Sequence, residues 1–325
     1  MKLCNERLQQ LGNRLELALT REKNNKNPFN VYKRLIPGKD VFPQQRDQAV
    51  LWIMRLCDKF HFYPETFALS INILDRVLSS VKVNPRYLQC IVTTSLYLAA
   101  KLLEENEVVP GTLEFVRSTQ CGCTVSEVLR MERVILDKLQ WQINSSTALD
   151  FLHIFHTMLL SSNPQLFGSH SHLTPAYQLS ALTTKLKFCL AHHQLVAFRP
   201  STLALAVLSL EMESYTGEWF SLTCYLQHLA QIDSRRLIHC REAVASCLSS
   251  SQYKKNVVYR FSLEAVNKRV KRSLSESDDD PNIYDGIKRL YNSEDGGGGA
   301  MSCGLAARCG ADDTPCPTLK PVEVN

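Results

Sequence analysis

The chain has 325 residues, 45% of them apolar, so at ~100–200 residues per domain it holds two domains or one large one and can bury a sizeable core. Its 37 Lys and Arg against 32 Asp and Glu leave a net +5, too mild over this length to demand nucleic acid or a membrane surface as partner. Twelve cysteines, scattered among apolar neighbours as at Cys57, Cys90, Cys189 and Cys247, read as reduced thiols, because a disulfide framework belongs to short secreted chains. The opening Met1 to Arg7 has no signal-peptide apolar stretch, and the apolar run Leu203 to Leu210 is far short of the ~20 residues that span a bilayer. The expectation is a soluble intracellular chain.

In chain order, apolar residues recur with helical period from Gln44 to Ser250, and no segment alternates with the two-residue period of a strand. The class is all-α. Predicted helices run from Gln44 to Phe60, Glu65 to Ser79, Pro85 to Leu103, Leu113 to Thr119 and Thr124 to Lys138. After Ser145-Ser146-Thr147 a second set follows: Ala148 to Leu160, Ala176 to His192, Pro200 to Ser214, Trp219 to Ala230 and Ser234 to Leu248. The third helix of each set is small and apolar, around Thr93 to Ala100 and Ser201 to Leu208, which lets neighbours approach on all sides. Order and count favour a repeat, while two unrelated buried helices remain the alternative. From Tyr253 onward the chain carries seven of its thirteen glycines with Pro, Ser and acidic residues, the composition of a disordered segment. Its charge is segregated: residues 253–272 hold seven basic and one acidic residue, and residues 273–325 hold four basic and ten acidic.

The chemistry of an enzyme is missing from the sequence. It has no Gly-rich phosphate loop, no Gly-x-Ser-x-Gly elbow and no His-Glu-x-x-His, so no catalytic residue is assigned. His153 and His156 have the i, i+3 spacing of two metal ligands, but Phe151 and Phe155 around them favour ordinary helix positions. Cys121-Gly122-Cys123 lacks a second pair and reads as a tight turn before a helix; no metal and no cofactor are expected. More informative are four charged residues on helix faces otherwise apolar: Arg46, Asp75, Lys101 and Glu132. Each is either solvated or, if buried, must be paired or serve a partner.

Those four residues and their surroundings resemble the cyclin box. Gln45 to Trp52 is similar to the opening motif of the box, Glu65 to Arg76 to its second helix, Leu88 to Glu105 to its third and Val128 to Glu132 to its fifth. Further segments, Leu149 to His156, Leu237 to Glu242 and Tyr284 to Asn292, resemble the divergent G/I group of cyclins. The resemblance implies two consecutive five-helix cyclin folds: an N-terminal extension over 1–43, a cyclin box over 44–144, a second cyclin fold over 147–250 and a tail over 251–325. It implies that Arg46 and Asp75 form an internal ion pair. It implies that Lys101 and Glu132 grip the backbone near the αC helix of a cyclin-dependent protein kinase, with apolar contact from Leu102 and Leu136 or Leu139, through strong charge-assisted hydrogen bonds. The implied function is a regulatory subunit that activates the kinase, in cell-cycle or cell-survival control. Small molecules, nucleic acid and membranes are not expected partners. Two departures bear on partner choice. The positions that dock Arg-x-Leu substrates in many cyclins read Gln45, Gln48 and Ala49, leaving Trp52 and Gln89 as a remnant, so conventional docking is expected to be lost. Two residues rather than one separate Lys101 from Glu104-Glu105, which points to an atypical kinase.

In the tail, Lys254-Lys255 and, after twelve residues, Lys268, Arg269, Lys271 and Arg272 form the two clusters of a nuclear import signal, or else a solvated basic run. Ser273, Ser275 and Ser277 each precede an acidic residue by three positions and suit an acid-directed kinase, or simply an acidic solubilising run. The expected location is nucleus and cytoplasm. A competing class is a cyclin-fold scaffold that binds other regulatory proteins and activates no kinase. Nucleic-acid binding is disfavoured, because Lys185, Lys187, Arg199, Arg235, Arg236 and Arg241 are dispersed over residues 147–250.

Overall fold

The computed structural model describes residues 2–24, 40–162 and 174–252. Among the described residues there are eleven α-helices, two single 3-10 turns and no strand, as the sequence periodicity requires. One compact unit covers Met1–Ser249, and the other, Ser250–Asn325, lies outside the described residues save the end of the last helix. The basic clusters at 254–272 and the serines Ser273, Ser275 and Ser277 therefore lie outside them too.

Helices α2 (Pro43–Phe60), α3 (Pro64–Ser80), α4 (Leu88–Leu103), α5 (Thr112–Thr119) and α6 (Val125–Lys138) form the first group. Proline opens α2 and α3, where its missing N–H is no loss and its fixed φ suits the first turn. Thr124 starts α6 with a capping box: its Oγ1 accepts the Glu127 N–H at 3.3 Å, and the Glu127 carboxylate accepts the Thr124 N–H at 2.6 Å. Gly122 supplies the turn before it with φ 71°, a conformation that costs glycine little. Helix α4 is central: every residue from Cys90 to Ala100 is buried, covered by α2, α3, α5 and α6. Fully buried Ile53, Phe67, Ile71, Phe115 and Ile135 of the neighbouring helices complete this core.

The second group is α7 (Ala148–Ser162), α8 (Pro175–Leu190), α9 (Pro200–Glu213), α10 (Trp219–Leu229) and α11 (Ser234–Gln252), with α11 running past the helix end expected at Leu248. Here α9 is the buried helix, packed by α7, α8 and α10.

Residues 1–43, expected only as an extension, contain a further helix, α1 (Lys2–Asn24). Its buried residues Leu11, Leu15, Ala18 and Leu19 follow the helical period and pack on α7, joining the core built by Phe151, Phe155, Leu205 and Val244. Its last turn also caps α9: Glu22, 5% exposed, accepts the Ser201 N–H at 2.7 Å and the Ser201 hydroxyl at 2.8 Å.

The two groups meet at Arg46, which has no exposed surface. Its Nε and Nη2 donate to the two Asp75 oxygens at 2.9 and 2.8 Å, and Nη1 donates to the Leu190 carbonyl of α8 at 2.8 Å. Asp47 beside it lies 2.6 Å from His193 Nδ1. Removing one partner of such a buried pair leaves the other charge uncompensated, so Asp75→Ala is expected to cost ~3–5 kcal/mol of stability, read by urea denaturation.

Burial raises the Glu22 carboxyl above its ordinary value, against the pull of the two Ser201 bonds. A raised folded-state value means the folded chain binds the proton more tightly, so Glu22 contributes progressively less to stability as pH rises above the ordinary Glu value of ~4.3. Thermal unfolding across pH is expected to show wild type losing stability relative to Glu22→Gln over that window. Glu22→Ala is expected to cost ~1 kcal/mol through loss of the α9 cap.

Candidate partner-docking site

Lys101 and Glu132 stand 31 residues apart in sequence and form an ion pair where the end of α4 meets α6. Burial along α4 stops at Ala100, and Lys101, Leu102 and Leu103 are all exposed. A lysine in the last turn of a helix is favoured by the negative end of the dipole. The Lys101 side chain is 38% exposed and that of Glu132 13%, so the pair lies at the surface rather than in the core.

The helix ends here because Glu104 leaves it with extended backbone at ψ 156°. Its buried carboxylate turns back to accept the Tyr63 N–H at 2.8 Å and the Thr66 hydroxyl, capping α3. The extra residue before Glu104-Glu105 thus belongs to a helix end pinned to α3. Sequence reasoning noted these acids but missed the role of Glu104. Its signal, an acidic residue just past a helix end, says nothing about which distant helix it caps.

Apolar surface flanks the pair. Leu129, Glu132 and Leu136 fall at i, i+3 and i+7 on one face of α6, with Leu129 exposed and Leu136 half-buried. Leu102 and Leu103 are exposed on α4, whereas Leu139 is buried and offers a partner little. A charged pair able to donate and accept, set among exposed leucines, can bind main-chain groups of a partner while covering apolar side chains.

The other residues singled out in the sequence go elsewhere. Trp52 is half-buried against the small core of Val116, Cys121 and Val128, and Gln89 is exposed. Gln45 is occupied in accepting the Phe42 N–H at 2.9 Å, and Ala49 is buried. His153 lies 3.7 Å from Glu65, while His156 is buried and held toward its neutral form by desolvation. Among the described residues no three His, Cys, Asp or Glu side chains converge as a metal site would need. The described cysteines are unbridged, and burial pushes the thiols of Cys57 and Cys240 up to about 12, far from a reactive thiolate. No described helix is long and apolar enough to cross a membrane.

Residues 16–144 match the family "Cyclin, N-terminal domain". Human cyclin-I2 is 39% identical over 206 residues, which are 63% of this chain and 56% of that protein. Human cyclin-G2 is 35% identical over 208 residues, 64% of this chain and 58% of that protein, so the chain spans little more than half the length of either relative. Cyclin-G1 of Sus scrofa is 32% identical over 246 residues, covering 74% of this chain and 80% of its own length. In structure, the chain resembles a viral cyclin from herpesvirus saimiri with a TM-score of 0.57 at 21% identity, covering 74% of this chain and 96% of the viral one. Cyclins are regulatory subunits rather than enzymes. By its fold and by its relatives, the chain belongs to the cyclin family, in the group of the G- and I-type cyclins.

Proposed function

We propose that this chain binds and activates a cyclin-dependent protein kinase, with the end of α4 and the facing side of α6 as its docking surface. The observation that carries the reading is the Lys101–Glu132 pair, held at the surface among Leu102, Leu103, Leu129 and Leu136. Docking there would hold the αC helix of the kinase inward, so that its glutamate pairs with the strand-three lysine that positions the ATP phosphates. The catalytic residues belong to the kinase. Residues 147–250 serve in this reading as a second cyclin fold, a view supported by the five helices α7–α11 around the buried α9. The altered opening motif at Gln45, Gln48 and Ala49 and the longer α4 end favour an atypical kinase partner that selects substrates without Arg-x-Leu docking. Localisation to nucleus and cytoplasm through the basic clusters at 254–272 completes the proposal.

The test is binding of the full chain to a panel of purified cyclin-dependent kinases, followed by kinase activity of each complex. At least one kinase is expected to bind and gain activity, with Lys101→Ala or Glu132→Ala each weakening binding about thirtyfold, the loss that ~2 kcal/mol at the centre of an interface gives. A folded chain that binds no kinase, or binds equally well with both variants, supports the scaffold reading instead.

The same variants are expected to leave the fold intact. An ion pair this exposed is worth about 0–1 kcal/mol, so Lys101→Ala should shift the denaturation midpoint far less than Asp75→Ala.

A further inference from the structure

Lys101 has a second partner, and it is uncharged. One turn earlier on α4, the ring of Tyr97 lies under the Lys101 ammonium, 4.9 Å from Nζ to the ring centroid. That is the geometry of a cation–π contact. Tyr97 is 6% exposed, and its ring is held by aromatic neighbours. Phe115 of α5 packs on it at 4.8 Å and 35°, Phe60 at the end of α2 stacks on Phe115 at 5.1 Å, and Phe62 stacks on Phe60 at 5.3 Å. The Tyr97 hydroxyl shares a hydrogen bond of 2.9 Å with Thr112 Oγ1 at the start of α5. The ring is therefore held in plane by a ladder of aromatics and in rotation by a hydrogen bond.

A lysine at the surface has several rotatable bonds, and immobilising such a side chain on binding costs about 0.5–1.5 kcal/mol. Glu132 alone restrains the ammonium at one point. A rigid aromatic face beneath it adds a second restraint, on the approach to α6. We infer that Tyr97 is a positioning residue for the docking surface: it holds the Lys101 ammonium beside Glu132 before any partner arrives, so the partner meets a preorganised donor. The functional half of this inference rests on the kinase-docking reading; the placement of Lys101 by Tyr97 does not.

A double-mutant cycle on the full chain tests it, using a kinase that the panel shows to bind. Tyr97→Leu is expected to weaken binding about three- to tenfold, the worth of one such contact. Tyr97→Phe keeps the ring and should bind within about twofold of wild type. In a Lys101→Ala background, Tyr97→Leu should add nothing, because its effect passes through the lysine. An equal loss in both backgrounds would make Tyr97 a packing residue only, and no loss in either would remove it from the surface altogether. A second measurement needs no kinase. In the proton NMR spectrum of the free chain, the Lys101 ε-methylene should be shifted upfield by the ring in wild type and in Tyr97→Phe, but not in Tyr97→Leu. If the panel shows no binding, the docking reading falls while this shift still decides the placement, and its absence in wild type overturns the inference.

Discussion

A guanidinium enclosed on every side must have its donors answered one by one, and at Arg46 on α2 the answers come from two further helices. Asp75 of α3 takes Nε and Nη2, while the last carbonyl of α8 takes Nη1. The fork of the arginine fixes angles as well as distances, so α2, α3 and α8 can meet in only one arrangement. Neighbouring contacts extend the same seam: Asp47 with His193, Glu65 with His153 and Lys187 with Asp58. The two helical groups are thus joined by directed polar contacts centred on one buried charge, where an apolar seam would allow sliding.

That fixed frame governs where the exposed Lys101–Glu132 pair appears. With α3 locked against α2 and α8, α4 threads the middle of the first group and emerges at its C-terminal end at Lys101. Eleven successive buried residues, Cys90 to Ala100, are followed at once by three exposed ones. Glu104, tied back to the start of α3, prevents the helix from continuing and holds the exposed turn in place. The surface pair costs little and gains little for folding. Its worth lies in the direction it points, which the packing beneath it sets.

Much of this was legible in the residues. The small-residue runs of α4 and α9 marked the two buried helices, and the all-α class followed from period alone. Resemblance named Arg46, Asp75, Lys101 and Glu132; period by itself left each of them open to a solvated reading. What stayed hidden shares one physical cause: contacts between side chains far apart in sequence. The Leu190 carbonyl on Arg46, the Glu104 cap on α3 and the Tyr97 ring under Lys101 all depend on how helices pack. Helix α1 is the exception. Its stripe of Leu11, Leu15, Ala18 and Leu19 carried a helical period in plain view, and low overall hydrophobicity masked it.

That first helix also bears on where the chain can be cut. The family match begins at residue 16, within α1, and the cyclin box as read from the sequence at residue 44, beyond it. A fragment starting at either point would strip Leu11 from the face of α7, and the shorter one would also take Glu22 from the start of α9. The apolar wall formed by α7 would then face water, and such a surface invites self-association. The boundary of the folding unit therefore lies upstream of the boundary of the recognisable family motif, and the helix most easily trimmed from a cyclin-box fragment is one that the other half of the molecule needs.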